Sequence, residues 1–171
     1  MASRTVSRSD AAVIAKKLPS YRMLSARLWM FSLLALSGCG QKTNETEALN
    51  TRLVTLPDGG QIRAEVLINS AEIQRGMMFR DALPQGRGLL FVHGTPGPYR
   101  YWMANVKNPL DIIFMDSNRR IVEISADTPP CATKPADCPT YGGHAVEQYV
   151  LEMRAGEARR LGLQKGQTLG F

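Results

Sequence analysis

Histidine occurs only twice in the 171 residues and cysteine only three times. With His93 and His144 as the whole supply, each in a glycine-rich stretch, a multi-histidine metal centre or a histidine-driven catalytic apparatus has little to be built from. The chain also lacks a GxSxG elbow, an HExxH zinc helix and a phosphate-binding GxxxxGK[ST] loop. From Cys39 onward serine is reduced to Ser70, Ser117 and Ser125, none in a nucleophile motif, so a serine triad is not expected. There are no internal repeats and no low-complexity segments. Nor is there a pervasive excess of charge. The net +6 is concentrated before Cys39, where six basic residues face Asp10 alone; from Cys39 onward 15 basic residues face 14 acidic ones. A nearly neutral body has no surplus to spend on phosphates, which argues against nucleic acid as a partner. Yet 44% of the residues are hydrophobic, enough for a packed core and too many for a disordered chain.

The apolar run at residues 28–37, LWMFSLLALS, is about half the roughly 20 residues that cross a bilayer. It follows Arg22 and Arg27 and leads into small residues, the layout of a secretory signal peptide. Its end, Leu36-Ser37-Gly38-Cys39, resembles the lipobox of bacterial lipoproteins. The resemblance implies that the Cys39 thiolate takes up a diacylglyceryl group and becomes the mature N-terminus, anchored by several acyl chains. Residues 1–38 are then leader, with Met23 as the expected true start, because a signal beginning at Met1 would have an unusually long basic region. Gly40 stands where an Asp would favour retention in the inner membrane, so the periplasmic face of the outer membrane is expected. Residues 39–50 are polar, lack aromatics and read as a flexible tether. The globular domain is expected at residues 51–171.

Within it, residues 51–56, the turn Pro57-Asp58-Gly59-Gly60 and the alternating run 61–68 read as a hairpin. Asn69, with Glu72 three residues on, caps a short helix over about 70–77 that stops near Gly76. Strands are expected at 88–92, 99–103, 112–115, 121–125 and 145–153, a loop at 93–98, and a long loop at 126–144. A second short helix covers 155–161, before an extended end at 163–171. Many short strands with turn signals between them indicate a mainly β, α+β domain: a small sandwich or barrel with two short helices.

These residues carry a family resemblance. Arg75-Gly-Met-Met-Phe-Arg80, Gly88-Leu-Leu-Phe91, Trp102-Met-Ala-Asn105, Pro109-Leu-Asp-Ile-Ile-Phe114, Pro130-Cys131, Cys138-Pro-Thr-Tyr141, Tyr149-Val-Leu-Glu152 and Gly162-Leu-Gln-Lys-Gly166 occur in the order of the family called domain of unknown function 192. The resemblance covers residues 51–171 and implies a jelly-roll-like sandwich. It brings no activity, cofactor or site role with it. One departure is Gln167, where members usually carry an Asp after the final glycine.

Four polar residues are informative: Arg75, Arg80, Asn105 and Asp111. Asp111 interrupts an apolar strand, and a buried carboxylate is costly unless paired; Arg75 or Arg80 is the natural bidentate partner. Two readings stand, a structural Arg–Asp clamp and the polar floor of a ligand pocket to which Trp102 and Tyr141 add walls. Met77, Met78 and Met103, with a histidine, are weak candidates for holding Cu(I), since thioethers are soft ligands and otherwise fill cores. Cys131 and Cys138 close an eight-residue loop. Export favours a disulfide, with metal ligation and redox activity as alternatives. Glu123, Glu147 and Glu157 read as surface residues.

No cofactor is implied. The expected function is a non-catalytic small-ligand-binding or accessory module of the envelope. The alternatives are a carboxylate-dependent hydrolase of an envelope glycan, which needs two carboxylates across a cleft, and a Cu(I)-handling protein, which needs two sulfurs and a nitrogen converging. The lipobox generates a direct expectation: Cys39→Ala abolishes labelling of the protein by radioactive palmitate, and label persisting in the variant refutes lipidation.

Overall fold

A computed structural model describes residues 50–171. The leader, the lipobox at Cys39 and all but the last residue of the expected tether lie outside the described residues.

Eight strands and two short helices make up the domain. They run β1 (Thr51–Thr55), β2 (Gln61–Leu67), α1 (Ser70–Arg75), β3 (Arg87–Gly97), β4 (Arg100–Trp102), β5 (Leu110–Met115), β6 (Ile121–Thr128), β7 (Thr140–Gly142), β8 (Glu147–Arg154) and α2 (Glu157–Arg160). Six strands form one sheet in the order β1-β2-β3-β8-β5-β6, and β4 and β7 form a second, two-stranded sheet. The β1–β2 hairpin turns at residues 56–60, where the Leu56 amide donates to the Gly60 carbonyl at 2.8 Å. The β2–β3 pair is parallel, which requires a crossover, and α1 lies within it. The Asn69 side chain accepts from the Glu72 amide at 2.8 Å, and the helix stops at Gly76 in a positive-φ conformation.

Strand alternation sends side chains into two separate cores. From β5, Ile113 and Met115 enter one core with Ile62, Leu90, Leu151 and Met153; Leu110, Ile112 and Phe114 enter the other with Leu89, Phe91 and Val150. All six residues of β5 are buried because both faces of the sheet are covered. The C-terminal segment and α2 cover the first face through Ala158, Leu163 and Leu169. That segment also ties the two sheet edges together. Gly170 exchanges backbone hydrogen bonds with Thr55 of β1 (2.7 and 2.9 Å), and Gln167 accepts from Ile121 of β6 at 2.8 Å. Neither edge strand is left bare beside it. The Gln167 side chain accepts from the Gln164 amide at 2.8 Å, so this residue holds the preceding turn.

The second face is covered by the small sheet. Tyr101 of β4 packs edge-on against Phe91 and Phe114, with ring centroids 5.1 and 5.7 Å away. Gly142 of β7 sits at φ 79° over the Phe114 ring, where any Cβ would collide with the ring. The Cys131–Cys138 disulfide is formed, with Cα atoms 5.7 Å apart, and the Cys131 amide donates to the Met103 carbonyl at 3.2 Å. The mainly β, α+β sandwich read from the strand pattern is the fold found. Two local expectations differ. Residues 93–97 continue β3 instead of forming a loop, the pairing to β8 shifting register between Val92 and Gly97. The 126–144 loop contains the three-residue β7, too short to show alternation.

The expected Arg–Asp clamp does not form. Asp111 is fully buried on the face shared with Ile113 and Met115, and its carboxylate accepts two main-chain N–H groups, from Asp127 and from Ala158, both at 2.7 Å. The reason is local geometry. Between Leu110↔Thr128 and Ile112↔Ser125, β6 carries one more residue than β5, a bulge that frees the Asp127 amide and puts Asp127 at φ 50°. The second amide is in the first turn of α2, whose N-cap is Gly156 and has no side chain to serve it. Asp111 supplies the acceptor for both. Glu147 and Glu157, read as surface residues, are buried as well. Glu147 accepts from the amides of Tyr99 and Ala145, and Glu157 pairs with Arg154 and Arg160. Only Glu123 is partly open, beside His144.

Asp111→Ala leaves two amides without an acceptor, one of them buried. It is expected to cost about 2–6 kcal/mol, at about 1–3 kcal/mol for each unsatisfied group, read as a lowered urea midpoint. An unchanged midpoint would contradict this role.

Candidate functional site

The second core opens to solvent. Between α1, the turn that follows it, β3, β4 and the middle of β8 lies a cleft of about 540 Å³, within the range of small-molecule sites. Met77, Met78, Phe91, Trp102 and Val106 give it an apolar wall. Its polar groups include Arg75 and Arg100, both exposed, and His93, Tyr99, Tyr101 and Glu152.

Glu152 is the group that sequence reasoning missed. It lies on β8, paired with Leu89 of β3 on one side and Ile112 of β5 on the other, and it shares a face with Val150. It is only 4% exposed, and its Oε2 has no hydrogen-bond partner. Burial disfavours the charged form and raises its pKa to about 8; Arg80 pulls the other way but loses to desolvation. Arg80 is drawn off by Glu65, to which it donates two hydrogen bonds, at 2.6 and 3.0 Å. That bidentate contact holds the guanidinium pKa above its usual value. At neutral pH Glu152 is therefore mostly a protonated acid, able to donate one hydrogen bond and accept others.

An ordered aromatic group borders it. Tyr101 Oη lies 2.9 Å from His93 Nε2, and the Tyr99 ring stacks on the imidazole with centroids 3.4 Å apart. Burial lowers the His93 pKa and raises that of Tyr101, with Glu152 adding to the second effect, so both are neutral at pH 7. Buried Glu147, by accepting from the Tyr99 amide at 3.0 Å, fixes the backbone that carries this stack.

The cleft gathers Arg75, Trp102, Met77 and Met78 from the sequence-derived set. The other members lie elsewhere. Arg80 is engaged with Glu65, and Asp111 is on the opposite face of the sheet. Asn105 is an exposed left-handed residue (φ 58°) whose carbonyl accepts from the Phe79 amide at 2.9 Å. Tyr141 pairs with Tyr101 across the small sheet and packs on the second core, and Met103 is buried beneath the disulfide loop. Glu152 is the single carboxylate lining the cleft among the described residues, so the pair required by a two-carboxylate hydrolase is not assembled there. Met77, Met78 and His93 do share the cleft, but His93 Nε2 is taken up by Tyr101. A signal for Glu152 existed: like Asp111, it is an acid within an apolar alternating strand.

The raised pKa has a sign that can be tested. An unfolded Glu titrates near 4.5, so between about pH 4.5 and 8 the folded chain keeps a proton that the unfolded chain has released. Stability contributed by this group is intact below that window and is lost as pH rises through it. Arg80 and Tyr101, which interact electrostatically with Glu152, keep their charge states throughout, and His93, whose pKa burial lowers, is common to the variant and the wild type. Glu152→Gln is expected to flatten the thermal midpoint between pH 5 and 8 and to raise it at pH 8. Parallel profiles for the variant and the wild type would refute the assignment.

Comparison with known proteins finds relatives across the domain. The model of the family described as Uncharacterized ACR, domain of unknown function 192, matches residues 53–171. A protein of unknown function from Novosphingobium aromaticivorans DSM 12444 has a similar crystal structure: 32% identity, TM-score 0.64, 71% of this chain and 85% of that one covered. A protein described as a candidate transcription regulator from Sinorhizobium meliloti 1021 is similar at 27% identity and TM-score 0.62, with 69% and 89% covered. No curated protein matches the chain.

Proposed function

We propose that this chain, which belongs to the domain of unknown function 192 family, is a lipid-anchored envelope protein whose cleft binds a small ligand without turning it over. The observation that carries the binding reading is the unpartnered Oε2 of buried Glu152 in a mainly apolar cleft. Orphaned buried carboxyl oxygens are costly; Asp111 and Glu147 receive main-chain N–H donors and the one unbonded oxygen of Glu157 has the Arg154 guanidinium at 3.4 Å, but Glu152 Oε2 is left unserved. A ligand hydrogen bond would complete it. The surrounding aromatic and thioether side chains are suited to an apolar body, and methionines adapt to its shape. Catalysis is not favoured, because the cleft pairs its one neutral acid with a histidine already bonded to Tyr101 and offers no second carboxylate.

The envelope reading rests on the signal-peptide layout and lipobox of residues 28–39. The Cys131–Cys138 disulfide supports it, since such bonds persist in oxidising compartments. The polar stretch that precedes β1 would then hold the domain at the periplasmic face of the outer membrane.

Native mass spectrometry of the full chain, extracted from its own envelope in mild detergent, tests the cleft. A small-molecule adduct is expected on the wild type and absent from Glu152→Leu, which should be at least as stable because it replaces an unsatisfied acid by an apolar group of similar size. No adduct on the wild type, or an adduct retained by the variant, would remove the binding reading.

A further inference from the structure

The charge distribution around the cleft points to the class of ligand. We infer that the cleft selects a monoanionic amphiphile, a compact apolar or aromatic body carrying one planar anionic group such as a carboxylate, with the anion held by Arg75 and Arg100. This deepens the binding reading above and depends on it.

Three observations carry the inference. First, the two cations at the cleft are uncommitted. Arg75 stands in the last turn of α1 and Arg100 opens β4; both are exposed, and neither takes part in an ion pair or side-chain hydrogen bond among the described residues. Arg80, two residues beyond the cleft-lining Met78, is by contrast locked to Glu65 at 2.6 Å and is not free to serve a ligand. Second, nothing in the cleft opposes an anion. Its one carboxyl group is Glu152, and burial keeps that group protonated at neutral pH, so the charge lining the cleft is the positive charge of the two arginines. Third, much of the rest of the wall is apolar. Met77, Phe91 and Val106 are buried in the second core, whereas Trp102 is 38% exposed and Met78 partly so. The pair extends that apolar surface toward the solvent side where the arginines lie.

Each part of such a ligand then meets its counterpart. A guanidinium presents a planar fork that matches a carboxylate with two parallel hydrogen bonds, which a lysine could not offer. The body lies against thioether and indole surface. A polar atom at the inner end can accept the Glu152 proton, a contact that a fully charged acid could not donate. A free aromatic acid and a fatty acid released from envelope lipid share this chemistry, and chain length in the probe distinguishes them.

Isothermal titration of the full chain in lipid nanodiscs, with empty discs as the blank, tests selection. The probes are 2-naphthoate and its neutral isostere 2-naphthamide, followed by octanoate. The naphthoate is expected to bind about tenfold more tightly than the amide, the scale of one charge-assisted contact. The double variant Arg75→Gln/Arg100→Gln should bring the two probes to about the same affinity, weakening the naphthoate far more than the amide. Both side chains are exposed and unpaired, so this variant should keep the wild-type urea midpoint. Octanoate binding more tightly than naphthoate would assign the fatty-acid source, and the reverse the aromatic one. Equal affinity of naphthoate and naphthamide for the wild type, or naphthoate binding unchanged in the double variant, would overturn anion selection while leaving a ligand cleft in place. Failure of every probe, together with no native adduct, would overturn the cleft itself.

Discussion

The structure hangs on the two hydrogen bonds that the Asp111 carboxylate accepts. Strand β5 is buried on both faces, so a polar side chain within it must find its partners inside the protein. Asp111 finds them in the main chain, where the bulge of β6 has freed one amide and the side-chain-less start of α2 another. Without that acceptor the bulge and the helix would each carry an orphan donor at the edge of the first core. With it, β5, β6 and α2 are fixed to one another, and the segment after α2 can cross from Ile121 to Thr55 and tie the sheet edges. Glu157 reinforces the corner by pairing with Arg154 and Arg160, and the hydrogen bond from Arg160 lowers its pKa.

The two faces of the sheet divide the labour. On the first, the interior acids are satisfied and the chain is closed over them. On the second, Glu152 projects between Leu89 and Ile112 with an oxygen that nothing serves. The small sheet covers most of that face but leaves the cleft open beside it. Burial outweighs the pull of Arg80 because Arg80 is held by Glu65, so Glu152 stays protonated, whereas Glu157, which also keeps one oxygen without a hydrogen bond, is flanked by Arg154 and Arg160 and has a lowered pKa. Unsatisfied groups of this kind lower stability and are characteristic of sites where a ligand supplies the missing partner.

Positioning in the cleft starts from Glu147, Asn105, Phe79 and the disulfide, none of which lines it. Glu147 holds the Tyr99 amide, Tyr99 stacks on His93, and His93 meets the Tyr101 hydroxyl. Asn105 and Phe79, both at positive φ, are joined by a backbone hydrogen bond that braces the turn after α1 against the segment after β4. The disulfide secures the same segment through the hydrogen bond from the Cys131 amide to the Met103 carbonyl. A cleft built on so many fixed supports is largely pre-formed, which reduces the ordering cost of binding.

What the sequence determined by itself was local. Alternation at 61–68 and the Pro57–Gly60 turn specified the first hairpin, Asn69 and Gly76 bounded α1, and the spacing of Cys131 and Cys138 allowed their bond. Each depends on residues a few positions apart, so the physics is contained in a short stretch of chain. The cleft was half legible: Arg75, Trp102, Met77 and Met78 were marked by type, and Asp111 by its cost inside an apolar strand. Which of the two interior acids would be satisfied was decided only by the tertiary structure. Alternation shows that Asp111 and Glu152 both leave their strands toward an apolar face, but not which face is covered, where a bulge releases an amide, or that Glu65 claims Arg80. Those depend on register between strands far apart in the chain, as between β3 and β8, where Leu89 faces Glu152, and a side chain's charge state follows from what that register places around it.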